Sequence, residues 1–291
     1  MGNATAERDW SAWHFAALIG GNMALALGPL WVRMADTGPV SAGFWRLLLA
    51  VPVFVLLARM NGQRVLGHSR GAVLAIIAAG LFFGTDLAAW HLGIGLTRLG
   101  NATLFGNSGS ILLVLFGLIA LRRMPRAMEG LAFAAAIGGS AILLGRSLEL
   151  GRATLIGDLL CLLAGFLYTF YILLAQRARA DLGSWTVLIY ACLGGLPVLL
   201  GGAVLLDEPI WPTNWGPIVA LAFTSQVIGQ GLLVYALRHF TAFIVGLALL
   251  TQPALAVVVG WAVFGEVLSP LDFLGMALVC AGLALARSTQ D

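Results

Sequence analysis

An acidic residue between two aromatic residues is the pattern in this sequence most suited to chemistry. Asp86 lies in an apolar run, and Phe82 and Trp90 lie four residues before and after it. Because an α-helix repeats about every 3.6 residues, this spacing puts all three side chains on one stripe. An acid at membrane depth costs roughly 2.5–3.5 kcal/mol, so it usually faces a cavity or a partner. The stripe predicts a cavity wall with Asp86 as a candidate coupling group; packing of the aromatic rings is the alternative.

Arg46 is a basic residue inside a second apolar run. Its expected depth differs from that of Asp86 by about one arginine side chain, so an Arg46–Asp86 ion pair is one interpretation. In the other, Arg46 extends to the membrane surface while water in the cavity hydrates Asp86. His91 follows Trp90 directly and is interpreted as a packing histidine rather than a proton relay.

Uncharged polar residues form a third group within the apolar runs. Interrupted helices at corresponding places in two halves of a chain indicate a midplane site, where amides and freed backbone groups could bind a zwitterion. Small residues for close helix packing are the alternative. Gln226 and Gln230 are predicted to lie one turn apart on one face. The predicted cavity residues of this group are Asn101, Asn107, Ser110, Tyr168, Tyr171, Gln226, Gln230, Thr251 and Gln252, and the predicted hinges are Gly106, Gly109 and Pro253.

Several kinds of chemistry are excluded or disfavoured. All sixteen basic residues are Arg, which excludes a P-loop and Schiff-base chemistry because both need Lys. The three cysteines lie far apart in apolar runs, which favours packing over metal binding or disulfides. The sequence contains no HExxH or GxSxG motif. We expect no catalytic residue, metal or cofactor, and an integral-membrane enzyme is a weaker alternative.

Membrane helices must position the polar residues. The chain has 291 residues, 60% hydrophobic and 10% charged, with a mean hydropathy of +0.96, whereas a soluble domain carries about 25% charged residues. A membrane helix needs about 20 mainly apolar residues, so we predict an all-α integral membrane protein. The ten predicted transmembrane helices cover residues 13–34, 41–59, 71–96, 99–121, 128–145, 154–176, 184–206, 216–237, 241–264 and 270–286.

The arginines predict how these helices are oriented. Eleven lie on the side of the membrane that holds the N-terminus, four lie on the other side, and Arg46 lies within a span. Because cytoplasmic loops carry the positive excess, both termini are predicted to be cytoplasmic, in a protein of the cell inner membrane. The arginines form no stripe, so nucleic acid is not an expected partner.

An internal repeat divides the predicted helices into two sets of five. A shift of 144 or 145 residues places Pro52 on Pro197 and Pro125 on Pro270. Residues 1–145 and 146–291 are therefore predicted to be two five-helix repeats, and an odd number of helices inverts the second. The offset slips by a few residues near the third and eighth spans. Inverted repeats favour an alternating-access carrier, since exchanging the two packings opens one site to either side.

A closing motif resembles one family. The segment Gln252-Pro253-Ala254, followed by Gly260, Gly265-Glu266 and Pro270, is similar to the end of EamA-type members of the drug/metabolite transporter superfamily. Phe44-Trp45-Arg46 is similar to the second helix of that family. The first half departs from the pattern, with Ser108 aligned to Pro253 and Leu121 to Glu266. Glu266 is therefore interpreted as a structural residue at a helix end.

The resemblance implies a ten-helix exporter, and the chain looks most like the branch for aromatic and other neutral amino acids. We expect a monomer or homodimer in the lipid bilayer that exports amino acids. The alternatives are a carrier of a nucleoside, nucleotide sugar, drug or other small metabolite, the membrane enzyme above, and a passive channel.

Overall fold

Helices form every regular element in the part of the chain that the structure describes. The structure is a computed structural model, and it describes residues 12–109, 127–178, 182–236 and 251–288. The helices are α1 (Ala12–Ala26), α2 (Gly28–Met34), α3 (Pro39–Met60), α4 (Arg70–Leu96), α5 (Leu99–Gly106), α6 (Ala127–Leu150), α7 (Arg152–Ala178), α8 (Ser184–Leu205), α9 (Trp215–Ala220), a π-helix (Leu221–Gln230), α10 (Gly231–Ala236), α11 (Thr251–Phe264) and α12 (Pro270–Ser288).

Six helical stretches are long and apolar enough to cross a membrane. They are Ala12–Met34, Pro39–Met60, Arg70–Leu96, Arg152–Ala175, Ser184–Leu205 and Trp215–Tyr235. Three shorter apolar segments are Gly130–Leu143, Leu255–Phe264 and Pro270–Gly282. For the described residues, the length and composition of these helices agree with the predicted all-α, multi-pass membrane protein. The ten-helix inverted repeat stays a prediction, since parts of the predicted spans lie at 110–126 and 237–250, outside the described residues.

The first predicted span is broken at Leu27. The sequence predicts one helix over 13–34, whereas α1 ends at Ala26 and α2 begins at Gly28. Pro29 lacks a backbone N–H and its ring crowds the preceding turn, so it disrupts a continuous helix and suits the first turn of α2. The break brings the backbone at Gly28 close to Trp90, since a Cβ on Gly28 would lie 3.5 Å from the indole.

Loops gather at two ends of the helical bundle, which we name after one residue of each. At the Arg33 end, the backbone N–H of Gly38 donates to the carbonyl of Pro209 at 3.0 Å. At the Gln63 end, the backbone N–H of Trp185 donates to Oε1 of Gln63 at 3.0 Å. Both bonds join the first half of the chain to the second.

Two ion pairs add to the connections at the Arg33 end. Arg33 NH1 lies 2.5 Å from Oε1 of Glu266, and both carboxylate oxygens of Glu266 accept from the backbone N–H of Leu99 at 3.1 Å. Arg98 NH1 lies 2.6 Å from Oδ2 of Asp272. Glu266 lies beyond the end of α11 and joins it to the ends of α2 and α5, as a structural residue would.

Asp36 makes a further connection at the Arg33 end. Its carboxylate accepts hydrogen bonds from the Thr213 hydroxyl, and from the backbone N–H groups of Asn214 at 2.8 Å and Thr213 at 3.0 Å. Because these bonds favour the charged form, they hold the pKa of the Asp36 carboxyl below its ordinary value of 3.8. Asp36 is therefore an anion that holds the loop before α3 to the loop before α9.

Glycines let α4 and α8 approach closely, and this contact positions the polar face of α4. A Cβ on Gly84 would lie 2.7 Å from the Cα of Gly195, a distance that real Cβ atoms do not show. Asp86 comes two residues after Gly84, so the close crossing also fixes the height of its carboxylate in the bundle.

We predict that Gly84→Ala destabilises the protein by about 1–3 kcal/mol, because the added methyl group forces α4 away from α8. The measurement is the melting temperature of the purified protein in detergent. Gly95→Ala is the matched control on the same helix, since nothing lies within 4 Å of a Cβ at Gly95. Equal melting temperatures for the two variants would contradict the close crossing.

Candidate substrate-binding cavity

A cavity lies between α1, α3, α4, α5, α7, the π-helix and α11. Its wall combines one positive and one negative side chain with amide, hydroxyl and aromatic groups. The lining residues are Leu25, Arg46, Phe83, Asp86, Leu87, Trp90, Thr103, Gly106, Asn107, Tyr168, Gln230 and Gln252. Both halves of the chain contribute to this wall.

Many residues singled out in the sequence meet in this cavity although they are far apart in the chain. They are Arg46, Asp86, Trp90, Gly106, Asn107, Tyr168, Gln230 and Gln252. The helices that carry them begin from different loops, so only the packing of the bundle brings their side chains together.

Other predicted cavity residues make contacts between helices instead. Phe82 stacks on Phe170 with ring centroids 5.3 Å apart, and Tyr171 stacks on Phe83 with ring centroids 4.5 Å apart. Asn101 Nδ2 donates at 3.3 Å to a buried carboxylate of α7. None of the three predicted residues is among those that line the cavity, because neighbouring helices occupy their side chains.

The three predicted hinge residues have different surroundings in the structure. Gly106 ends α5 and lines the cavity, and Gly109 packs against the backbone of α7. Pro253 is buried in the first residues described of α11, so its effect on the preceding chain lies outside the described residues. Ser110 and the side chain of Thr251 also lie outside them.

Arg46 is buried, with 2% of its surface exposed, and three side chains fix its guanidinium. Nε donates to Oε1 of Gln226 at 3.0 Å, NH1 lies 3.5 Å from Nε2 of His91, and the guanidinium carbon lies 5.9 Å from the ring centroid of Trp90. Nδ1 of His91 lies 2.9 Å from the carbonyl oxygen of Pro39. Since a carbonyl only accepts, Nδ1 carries the proton and Nε2 accepts from Arg46.

Asp86 faces the same cavity and accepts no hydrogen bond from the described residues. It is 6% exposed, and the structure gives its carboxylate no hydrogen-bond donor among the described residues. The two ion pairs in the described ranges are Arg33–Glu266 and Arg98–Asp272. Arg46 and Asp86 are therefore separate charges in one cavity. Arg46 does not extend to the membrane surface.

The eighth predicted span contains a π-helix over Leu221–Gln230 where the sequence predicts a regular α-helix. A π-helix bonds residue i to i+5 and has wider turns than an α-helix, but residues four apart still lie near one face, so the shared face of Gln226 and Gln230 stays a prediction. Gln226 points to Arg46, whereas Gln230 lines the cavity and its Nε2 donates to the Tyr168 hydroxyl at 3.4 Å. π-Helical turns occur frequently at functional sites.

Asn22 is a polar residue beside the cavity that the sequence interpretation missed. It is fully buried, and its Oδ1 accepts from Nε2 of Gln252 at 2.5 Å. Oε1 of Gln252 accepts in turn from Nδ2 of Asn107 at 3.4 Å. Gln252 thus connects α1 with the end of α5. The sequence signal for it is a single Asn in the apolar run of α1. Burying this amide costs as much free energy as burying the other polar residues identified from the sequence.

Asp158 was also missed. It is fully buried and accepts from the Thr97 hydroxyl and from Asn101. Its signal was a carboxylate four residues inside the sixth predicted span. Of the apolar lining residues, Leu25, Phe83 and Leu87 had no polar group to mark them.

Comparisons with known proteins agree with a transporter. Residues 155–288 match the EamA-like transporter family. The threonine/homoserine exporter RhtA of Escherichia coli (strain K12) is 28% identical over 240 residues, which is 82% of this chain and 79% of that protein. RhtA of Salmonella typhimurium (strain LT2) is 27% identical over the same shares. An uncharacterized transporter of Archaeoglobus fulgidus is 23% identical over 270 residues, covering 89% of this chain and 91% of that one.

A solved structure has the same overall fold. One crystal structure of a protein matches this chain with a TM-score of 0.62 at 16% sequence identity, covering 94% of this chain and 95% of that chain. At such a low identity the likeness is evidence for the fold alone. The match extends over nearly the whole chain and not only over the part that matches the EamA-like family.

Proposed function

We propose that this chain is an EamA-type transporter of the drug/metabolite transporter superfamily, and that it exports neutral amino acids by alternating access. The observation that carries the proposal is the cavity, where two opposite charges, several amides and aromatic rings face one space. Such a wall suits a small amphiphile with a polar head and an apolar or hydroxylated body. The threonine/homoserine exporters among its relatives support the same substrate class.

The lining argues against larger anionic metabolites. Nucleotides and nucleotide sugars carry phosphate groups, which proteins bind with clusters of basic side chains. Among the described residues that line the cavity, Arg46 is the only basic one. A zwitterion is bound best by one positive and one negative side chain, and Arg46 and Asp86 provide this pair.

The proposed mechanism uses the inverted repeat, with residues 1–145 and 146–291 exchanging their packings around the cavity. One contact supports it. Asn107 and Gln252 are 145 residues apart, equal to the repeat offset, and their side chains are hydrogen-bonded beside the cavity. Residues related by a two-fold axis contact each other only near that axis. The contact therefore suits a cavity at the junction of the two repeats.

We also propose an orientation, with both termini in the cytoplasm and the Arg33 end at the periplasmic face of the inner membrane. The arginine distribution supports it, since eleven arginines lie on the side of the N-terminus and four on the other. Export then requires the cavity to open at the Arg33 end after filling from the Gln63 end.

Downhill efflux from proteoliposomes tests the function. Liposomes with the purified protein are loaded with labelled threonine, phenylalanine or methionine, and loss of label is followed as the internal concentration is raised. We expect efflux that saturates. Efflux that rises without saturation would indicate a channel, and efflux equal to that of protein-free liposomes for every amino acid would refute the proposal.

A further inference from the structure

We infer that the cavity holds an amino acid by both of its charged ends, with Asp86 binding the ammonium group and Arg46 binding the carboxylate. This inference rests on the proposed function and names how that substrate is recognised. The Asp86 and Arg46 side chains support this inference. Each is buried, lines the cavity and has hydrogen-bonding groups that no described residue occupies.

Asp86 is the ammonium site. Only 6% of its surface is exposed, and no described protein group donates a hydrogen bond to its carboxylate. A buried carboxylate without donors is strongly unfavourable, and a cation that donates hydrogen bonds relieves that cost. An ammonium group supplies three donors and a positive charge. The neighbouring Trp90 and Phe83 provide apolar surface around it.

Arg46 is the carboxylate site. A guanidinium has five N–H donors in a planar fork that matches a carboxylate. Nε is bonded to Gln226 and NH1 to His91, and no other described residue accepts from the second N–H of NH1 or from either N–H of NH2, so these can bind a ligand. Because Gln226 and His91 both contact the guanidinium, Arg46 is oriented before a substrate arrives.

The lack of a direct contact between the two charges is what suits a zwitterion. Arg46 and Asp86 both line the cavity, but they are not among the ion pairs of the described residues, so neither charge neutralises the other by contact. An α-amino acid between them pairs both charges at once and adds no net charge to the cavity. An amine pairs only with Asp86 and an acid pairs only with Arg46, so each makes one of the two charge-assisted contacts that an amino acid makes.

Substrate analogues test the two ends separately. Threonine, 1-amino-2-propanol and 3-hydroxybutyrate differ only in that the second lacks the carboxylate and the third lacks the ammonium group. Each is tested as an inhibitor of labelled threonine counterflow, and as a ligand that raises the melting temperature of the purified protein. The melting assay serves for a variant that transports too slowly to follow. Asp86→Asn and Arg46→Gln are compared with the exposed controls Asp207→Asn and Arg59→Gln.

In the wild type and both controls we expect each analogue to bind about 10- to 100-fold more weakly than threonine, since each lacks one charge-assisted contact. In Asp86→Asn, 3-hydroxybutyrate should bind as well as threonine. In Arg46→Gln, 1-amino-2-propanol should do so. The inference is overturned if both variants keep the wild-type ranking, or if both lose all three ligands by one common factor. In those two cases the proposed function stands, whereas a wild type that neither binds nor transports any amino acid refutes the function itself.

Discussion

Replacing Asp86 by Asn is expected to lower amino-acid export by roughly 10- to 100-fold and to leave a residual flux that does not depend on pH. The size corresponds to one lost charge-assisted hydrogen bond of about 1.5–3 kcal/mol. Asp86 is the only carboxylate among the described residues that line the cavity, so it is the candidate for proton coupling there. Asn keeps the shape of the side chain but neither carries a charge nor binds a proton in this range.

The measurement is export from proteoliposomes at a series of pH values, with and without a proton gradient. Asp207→Asn is the matched control, because Asp207 is exposed at the Arg33 end. Its φ of 52° is also a conformation that Asn tolerates. Wild-type flux and wild-type pH dependence in Asp86→Asn would remove Asp86 from the mechanism. If the flux of the wild type does not depend on pH, transport occurs by facilitated diffusion or is driven by another ion.

Replacing Glu266 by Gln is expected to make the cavity about tenfold more accessible from the periplasm. Glu266 binds Arg33 at 2.5 Å and the backbone N–H of Leu99 at 3.1 Å, and so holds α2, α5 and the end of α11 together. In the proposed alternating access, opening of the cavity at the Arg33 end separates these helices. Gln retains the size and an acceptor oxygen but loses the charge, which weakens the contacts by about 1–1.5 kcal/mol.

Cysteine labelling measures this accessibility. Thr103 lines the cavity and is 2% exposed, so Thr103→Cys reports entry from either end once Cys161, Cys192 and Cys280 have been replaced by Ala. Intact cells are treated with a maleimide that does not cross membranes. Arg152→Gln is the control, because Arg152 is exposed at the start of α7. Equal labelling rates with and without Glu266→Gln would show that this ion pair does not hold the cavity closed.

The helices and the polar cavity of this protein follow largely from local sequence patterns. Long apolar runs without charge fix the membrane-length helices. The break between the third and fourth spans also falls where expected, since α4 ends at Leu96 and α5 begins at Leu99. Burial of Asp86 and Arg46 in one cavity follows from the cost of placing either against lipid.

Which face of α4 lines the cavity is harder to predict from the sequence. At about 100° per residue, Phe83, Asp86, Leu87 and Trp90 cover an arc whose centre lies about 90° from Phe82. The sequence pattern centred the stripe on Asp86 and so included Phe82, which stacks on a neighbouring helix. Periodicity gives the relative angles on a helix, whereas packing against the other helices decides which angle faces the cavity.

The support of Arg46 could not be predicted for a different reason. Gln226 reaches Arg46 from a π-helix, and no residue preference distinguishes a π-helix from an α-helix in an apolar run. Contacts that cross the chain, such as Arg46 with Gln226, depend on tertiary packing alone.

Counterflow in proteoliposomes tests the central claim most directly, because it reports a carrier without any assumption about its driving force. Liposomes containing the purified protein are loaded with unlabelled amino acid and diluted into a trace of the labelled one. We predict transient accumulation of label for neutral amino acids such as threonine, phenylalanine and methionine, and none with protein-free liposomes. Accumulation of a nucleoside or nucleotide sugar, with none of any amino acid, would contradict the account.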